Sequence, residues 1–86
     1  MTDPGTWLSQ GAEEIRIARA EGLDPSWVER LATRMEQAAL LPEPARELEV
    51  KAITRSLVDG GPTDEDACPS FWGVVDFYQR QSKRSR

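Results

Sequence analysis

The sequence predicts an all-α fold: a small bundle of three or four helices, with pairing of two copies into a homodimer as a further expectation. Three observations carry this. Four segments repeat apolar residues at helical spacing and each ends at a glycine or proline stop. No run sustains the period-2 alternation of a half-buried strand. With 86 residues, 38% hydrophobic and 30% charged, the composition is that of a globular chain with room for one core, since so short a chain buries about 60% of its unfolded surface. The helical domain is expected over residues 1–79, followed by a basic tail over 80–86.

The first helix is expected over about 7–21. Trp7, Leu8, Gly11, Ala12, Ile15 and Ala18 follow helical spacing, and Gly22 supplies a left-handed stop. Gly11 weakens this helix by roughly 1 kcal/mol relative to alanine. The second, over about 25–40, has Asp24 as N-cap, Pro25 at the first helical position, and Leu23 placed to staple onto Val28. Val28, Leu31, Ala32, Met35, Ala38 and Ala39 form its core stripe. Leu41-Pro42-Glu43-Pro44 then makes a stiff corner, because each proline lacks an amide donor and pushes its predecessor toward extended geometry.

The third helix is expected over about 44–59, stopped by Gly60-Gly61. Its apolar residues divide between Ala45/Leu48/Ala52 and Val50/Ile53/Leu57, an arc broad enough for two neighbours or a neighbour and a second subunit. Thr63-Asp64-Glu65-Asp66 has the spacing of a capping box, but Pro69 interrupts any helix begun there. A short turn and a fourth helix over 69–81 are therefore expected. Phe71, Val74, Val75 and Tyr78 share one face of it, while Trp72 and Phe77 point to opposite flanks.

The formal charge is −4, yet Arg80, Lys83, Arg84 and Arg86 all fall in the last seven positions. Removing these four from the 11 basic residues leaves 7 against 15 acidic ones, so the body is anionic and is expected to draw basic partners and repel phosphate. Met1 to Gly11 contains an acid, a proline and two glycines where a secretory signal has basic and then apolar residues, and no apolar run approaches a membrane span. A cytoplasmic protein that does not enter a membrane is the expectation.

Chemistry finds few candidates. There is no histidine and one cysteine, which excludes internal disulfides, histidine metal sites and histidine-dependent triads. Cys68 has no base to partner it and reads as a structural thiol. Asp64, Glu65 and Asp66 cluster oxygen donors, but a calcium site takes about six ligands and the EF-hand pattern is absent. Neither a Walker loop nor G-x-G-x-x-G is present, so nucleotides have no cradle. No enzyme activity, cofactor or metal is expected.

Ala18, Gly22, Leu23, Val28 and Leu31 together resemble the spacing of the helix-turn-helix family of DNA-binding motifs, over about 20 residues. The resemblance implies a dimeric transcriptional regulator whose second helix enters the major groove, with Ser26, Trp27, Arg30 and Arg34 facing bases and phosphates. Glu21 stands where that family usually carries an apolar residue. Glu29 and Glu36 put negative charge on the helix that would approach DNA, so this is the alternative reading.

The first reading is a non-enzymatic interaction module, an acidic adaptor or inhibitor that occupies a basic, nucleic-acid-binding surface of another protein. Its general character is that of small inhibitors encoded by phages and plasmids. Three tryptophans in so short a chain exceed what one small core comfortably covers, and large aromatics are the usual anchors of interfaces. Trp72 and Phe77 are the expected anchors, with Glu13, Glu14, Glu43, Glu47, Asp64, Glu65 and Asp66 supplying the acidic field. A small accessory subunit of a larger enzyme is the third reading.

Overall fold

A computed structural model describes residues 4–64 and 66–84. Of the expected features, Glu65 and the end of the basic tail at Arg86 lie outside the described residues. Four α-helices account for the chain: α1 (Pro4–Ala18), α2 (Pro25–Ala38), α3 (Ala45–Gly60) and α4 (Pro69–Arg84). No strand occurs among the described residues, so the all-α expectation holds, with four helices rather than three.

Helix α1 starts at Pro4, three residues before the expected start, because a missing amide costs nothing in a first helical turn. Its last turn tightens to a 3-10 helix over Arg19–Glu21 and ends at Gly22, whose φ of 109° bars other side chains at little cost to glycine. Leu8, Ala12, Ile15 and Ala18 are all buried. In α2 the Asp24 carboxylate accepts the Trp27 N–H at 3.2 Å, completing the expected cap. This helix stops at Ala38 rather than 40, where Leu40 N–H and Leu41 N–H turn back onto the Gln37 and Ala38 carbonyls. Val28, Leu31, Ala32, Met35 and Ala38 face the core, and Ala39 is half-buried.

Helix α3 packs on two neighbours, α2 and α4. Val50, Ile53, Thr54 and Leu57 are buried there, while Leu48 is 66% exposed and Ala45 and Ala52 also face solvent, so the Ala45/Leu48/Ala52 group is not covered within one chain. Thr54 enters the core because its hydroxyl donates to the Val50 carbonyl at 2.8 Å, which removes the penalty of an unpaired buried group.

The segment after α3 forms the expected short turn before Pro69. Asp64 accepts the backbone N–H groups of Asp66 (3.1 Å) and Ala67 (3.3 Å) in a side-chain turn. Helix α4 then runs to Arg84, past the expected end at 81, so the backbone of residues 80–84 continues the helix. Phe71, Val74, Val75 and Tyr78 form its buried face, as the spacing predicts.

Each helix packs on its neighbours in sequence, and α1 against α4 closes the ring. Glu21 meets Ser70 at one end of the α1–α4 pair and Leu8 meets Tyr78 near the other, so these helices run antiparallel. On the far side Trp27 lies over Gly60, and Arg34 reaches Glu49 and Ser56. The α2–α3 pair is antiparallel too. The radius of gyration is 12.0 Å, the value expected of a compact domain of this length.

Candidate functional site

Among the concave surfaces of the described residues is a groove of about 530 Å³ between α1 and α4. Trp7, Gln10, Gly11, Glu14 and Ile17 line one wall, and Ser70, Gly73, Val74, Phe77 and Tyr78 the other. Helical spacing produces both walls: the α1 residues recur three or four apart beside the Leu8/Ile15 core stripe, and the α4 residues do the same beside Phe71/Val75. Ile17 is 71% exposed and Phe77 39%. Trp7 anchors one end, meeting Phe77 and Tyr78 edge-on with ring centroids 5.6 and 5.2 Å apart, an arrangement that stabilises aromatic pairs.

Tyr78 forms the floor. Its hydroxyl donates to the Leu8 carbonyl at 3.4 Å, and burial, reinforced by the Glu14 charge, pushes its pKa upward. It is held neutral and is no base at neutral pH. Nothing in the groove pairs a nucleophile with a base, and among the described residues no cluster of three or more His, Cys, Asp or Glu is placed to hold a metal ion. No described helix is long and apolar enough to cross a membrane. The arrangement presents apolar surface with carboxylates at its edge.

The anchors expected from sequence separate. Phe77 lies in the groove, but Trp72 is not among its lining residues; it packs edge-on against Phe71 at 5.6 Å with its indole Nε1 buried and without a hydrogen-bond partner. On α1 the groove is lined by Trp7, which the sequence places in the helical stripe, and by Ile17, which the sequence reading did not single out. Glu14 lies in the groove wall, and Glu13 is exposed beside it on α1.

The other acidic residues are dispersed. Glu43 and Glu47 sit at the α2–α3 corner and the first turn of α3, paired with Arg46 at 2.8 Å and Lys51 at 3.6 Å. Asp64 is engaged by its own loop. Ion pairs account for most other carboxylates: Arg16 holds both Glu29 and Glu36, Arg34 holds Glu49, Arg55 Asp59 and Arg80 Asp76. Glu21 and Asp24 cap helices. Among the described residues this leaves Glu13, Glu14 and Asp66 with neither a cation nor a backbone amide.

The residues of the helix-turn-helix resemblance occupy a different face. Ser26 and Arg30 are exposed and, with Glu29, Thr33 and Arg34, line a shallow depression on α2. Trp27 is half-buried over Gly60 and against Phe71, 5.7 Å between rings. Arg34 is bidentate to Glu49 at 3.1 and 3.2 Å. Glu21, apolar in that family, here accepts the N–H groups of Ser70 (3.2 Å) and Phe71 (3.4 Å) at the start of α4. Comparison with protein-family models, with curated proteins and with solved structures gives no significant match to the chain.

Proposed function

We propose that this chain is a non-enzymatic, acidic docking module, an adaptor or inhibitor that seats another protein on its α1–α4 face. One observation carries the reading: the groove exposes Ile17 and Phe77 beside the carboxylate of Glu14, which, like Glu13 next to it in sequence, meets no cation among the described residues. Apolar anchors beside uncompensated charge are the ordinary composition of an interface core and its rim. The buried lone thiol of Cys68 suits a reducing, cytoplasmic setting. Binding DNA through α2 has less support, since Arg34 is already committed to Glu49 and Glu29 lies in the same depression as Arg30.

The test compares three baits in the native host: the wild type, Ile17→Glu and Phe77→Ser. Both positions are solvent-accessible, so helicity by circular dichroism is expected to be unchanged. Proteins retained by the wild type and lost by both variants support the reading. A retained set indifferent to both substitutions overturns it, as does tight duplex binding abolished by Arg30→Ala.

A further inference from the structure

We propose that the occupant of the α1–α4 groove is an amphipathic helix of another protein, carrying lysine or arginine along the flanks of its apolar stripe. This names the partner of the docking module and rests on that reading. Both walls of the groove are helices whose main-chain groups are bonded internally, so an extended peptide finds no free edge to join and would leave its own amides unpaired against Trp7, Val74 and Phe77. A helix brings its backbone bonds with it.

The dimensions agree. Trp7 and Ile17 stand ten residues apart on α1, about 15 Å at the helical rise, long enough to take the about 10.5 Å, two-turn span of an apolar stripe at i, i+3 or i+4, and i+7. Gly73 leaves a gap in the opposite wall, with no atom within 4 Å of where its Cβ would stand. That gap has room for a side chain of the occupant, and Ile17 and Phe77 offer exposed apolar surface in the same groove.

Charge selects the partner. The α2 carboxylates Glu29 and Glu36 share the Arg16 cation, but Glu13 and Glu14 have no cation among the described residues. A second copy seated symmetrically would bring its own Glu14, with Glu13 next to it in sequence, against the same carboxylates, placing like charges across the contact. A basic helix removes that conflict and adds two attractive pairs.

A displayed library of random 16-residue peptides, selected on the whole chain and counter-selected on Ile17→Glu, tests this. The expected consensus has apolar residues at i, i+3 or i+4, and i+7 with lysine or arginine between them. The synthetic consensus peptide should gain helix on binding, and the double substitution Glu13→Lys/Glu14→Lys should weaken it about tenfold, the reversal of two screened pairs. An acidic consensus, or an extended proline-rich one, overturns the helix proposal and leaves the docking module standing. No Ile17-dependent peptide at all overturns both. Sedimentation showing a dimer that Ile17→Glu dissociates gives the groove to a second copy and overturns the proposal.

Discussion

The Tyr78 ring occupies the space above Gly11: its hydroxyl oxygen lies 2.5 Å, and its Cε1 2.8 Å, from where a Cβ on residue 11 would stand. Tyr78 is buried, packed edge-on against Trp7 and bonded to the Leu8 carbonyl, so moving it aside breaks those contacts. The glycine therefore sets how closely α1 and α4 approach and fixes the depth of the groove between them. Read as helix propensity alone, Gly11 is a weakness; read with its neighbour across the bundle, it is a requirement of packing.

Two glycine substitutions separate these effects. Gly11→Ala gains about 1 kcal/mol of helix propensity but must displace the Tyr78 ring, and a net loss of roughly 1 to 2 kcal/mol is expected from overpacking. Gly73→Ala meets no atom within 4 Å and should gain roughly 0.5–1 kcal/mol. Urea denaturation of the two variants should give shifts of opposite sign. Stabilisation by both would show that Tyr78 does not close over α1.

Arg16 binds two glutamates of α2 at once, Glu29 at 2.9 Å and Glu36 at 2.7 Å. Hydrogen bonds to its guanidinium hold both carboxyls below their usual pKa. Groups with depressed folded-state values stabilise above the unfolded pKa of about 4.3 and lose that contribution as pH falls through the folded values. Arg16→Gln is expected to lower the thermal midpoint at pH 7, where it also leaves two like charges facing each other. As pH falls through the depressed folded values the wild-type and variant midpoints should converge. Curves that stay parallel throughout acid titration would mean that Arg16 acts through its aliphatic stem.

Helix number and the core stripes were legible because each stop is local: Gly22, the Pro42/Pro44 pair and Gly60-Gly61 end helices by their own backbone chemistry. Within the candidate site, Phe77 and Glu14 were legible for a similar reason, since their faces follow from position along one helix. Trp7 and Ile17 were not chosen, because the groove exists only once α4 lies antiparallel to α1, a relation between segments some 70 residues apart that periodicity does not encode. Leu48 shows what spacing leaves open: it suits a further packed face, and within one chain no helix covers it.

Cys68 is buried, its thiol pointing to the Glu21 carbonyl at 3.8 Å. Burial pushes the thiol pKa up, and the negative charges of Glu21 and Asp64 push it further. Less thiolate and less access both slow substitution. Reaction with an aromatic disulfide reagent at pH 8 should run on the order of 100-fold slower in the native protein than in urea. A native rate close to the unfolded one would show that the loop before α4 opens freely.

Glu21 ties two ends of the bundle together, its carboxylate accepting the Ser70 and Phe71 amides across 49 and 50 residues of sequence. The contact supplies α4 with an N-terminal cap that its own leading residues do not make, and sets a negative charge at the positive end of the helix. Glu21→Ala is expected to cost about 1 kcal/mol in urea denaturation. Glu21→Gln should fall between the two, because the amide oxygen still accepts one bond without the charge. The same substitutions remove a negative neighbour of Cys68, so its thiol should react faster in both variants, and fastest in the alanine form if the start of α4 also loosens. Stability unchanged in Glu21→Ala would mean that Phe71, buried against Trp27 and Trp72, positions α4 without help from the carboxylate.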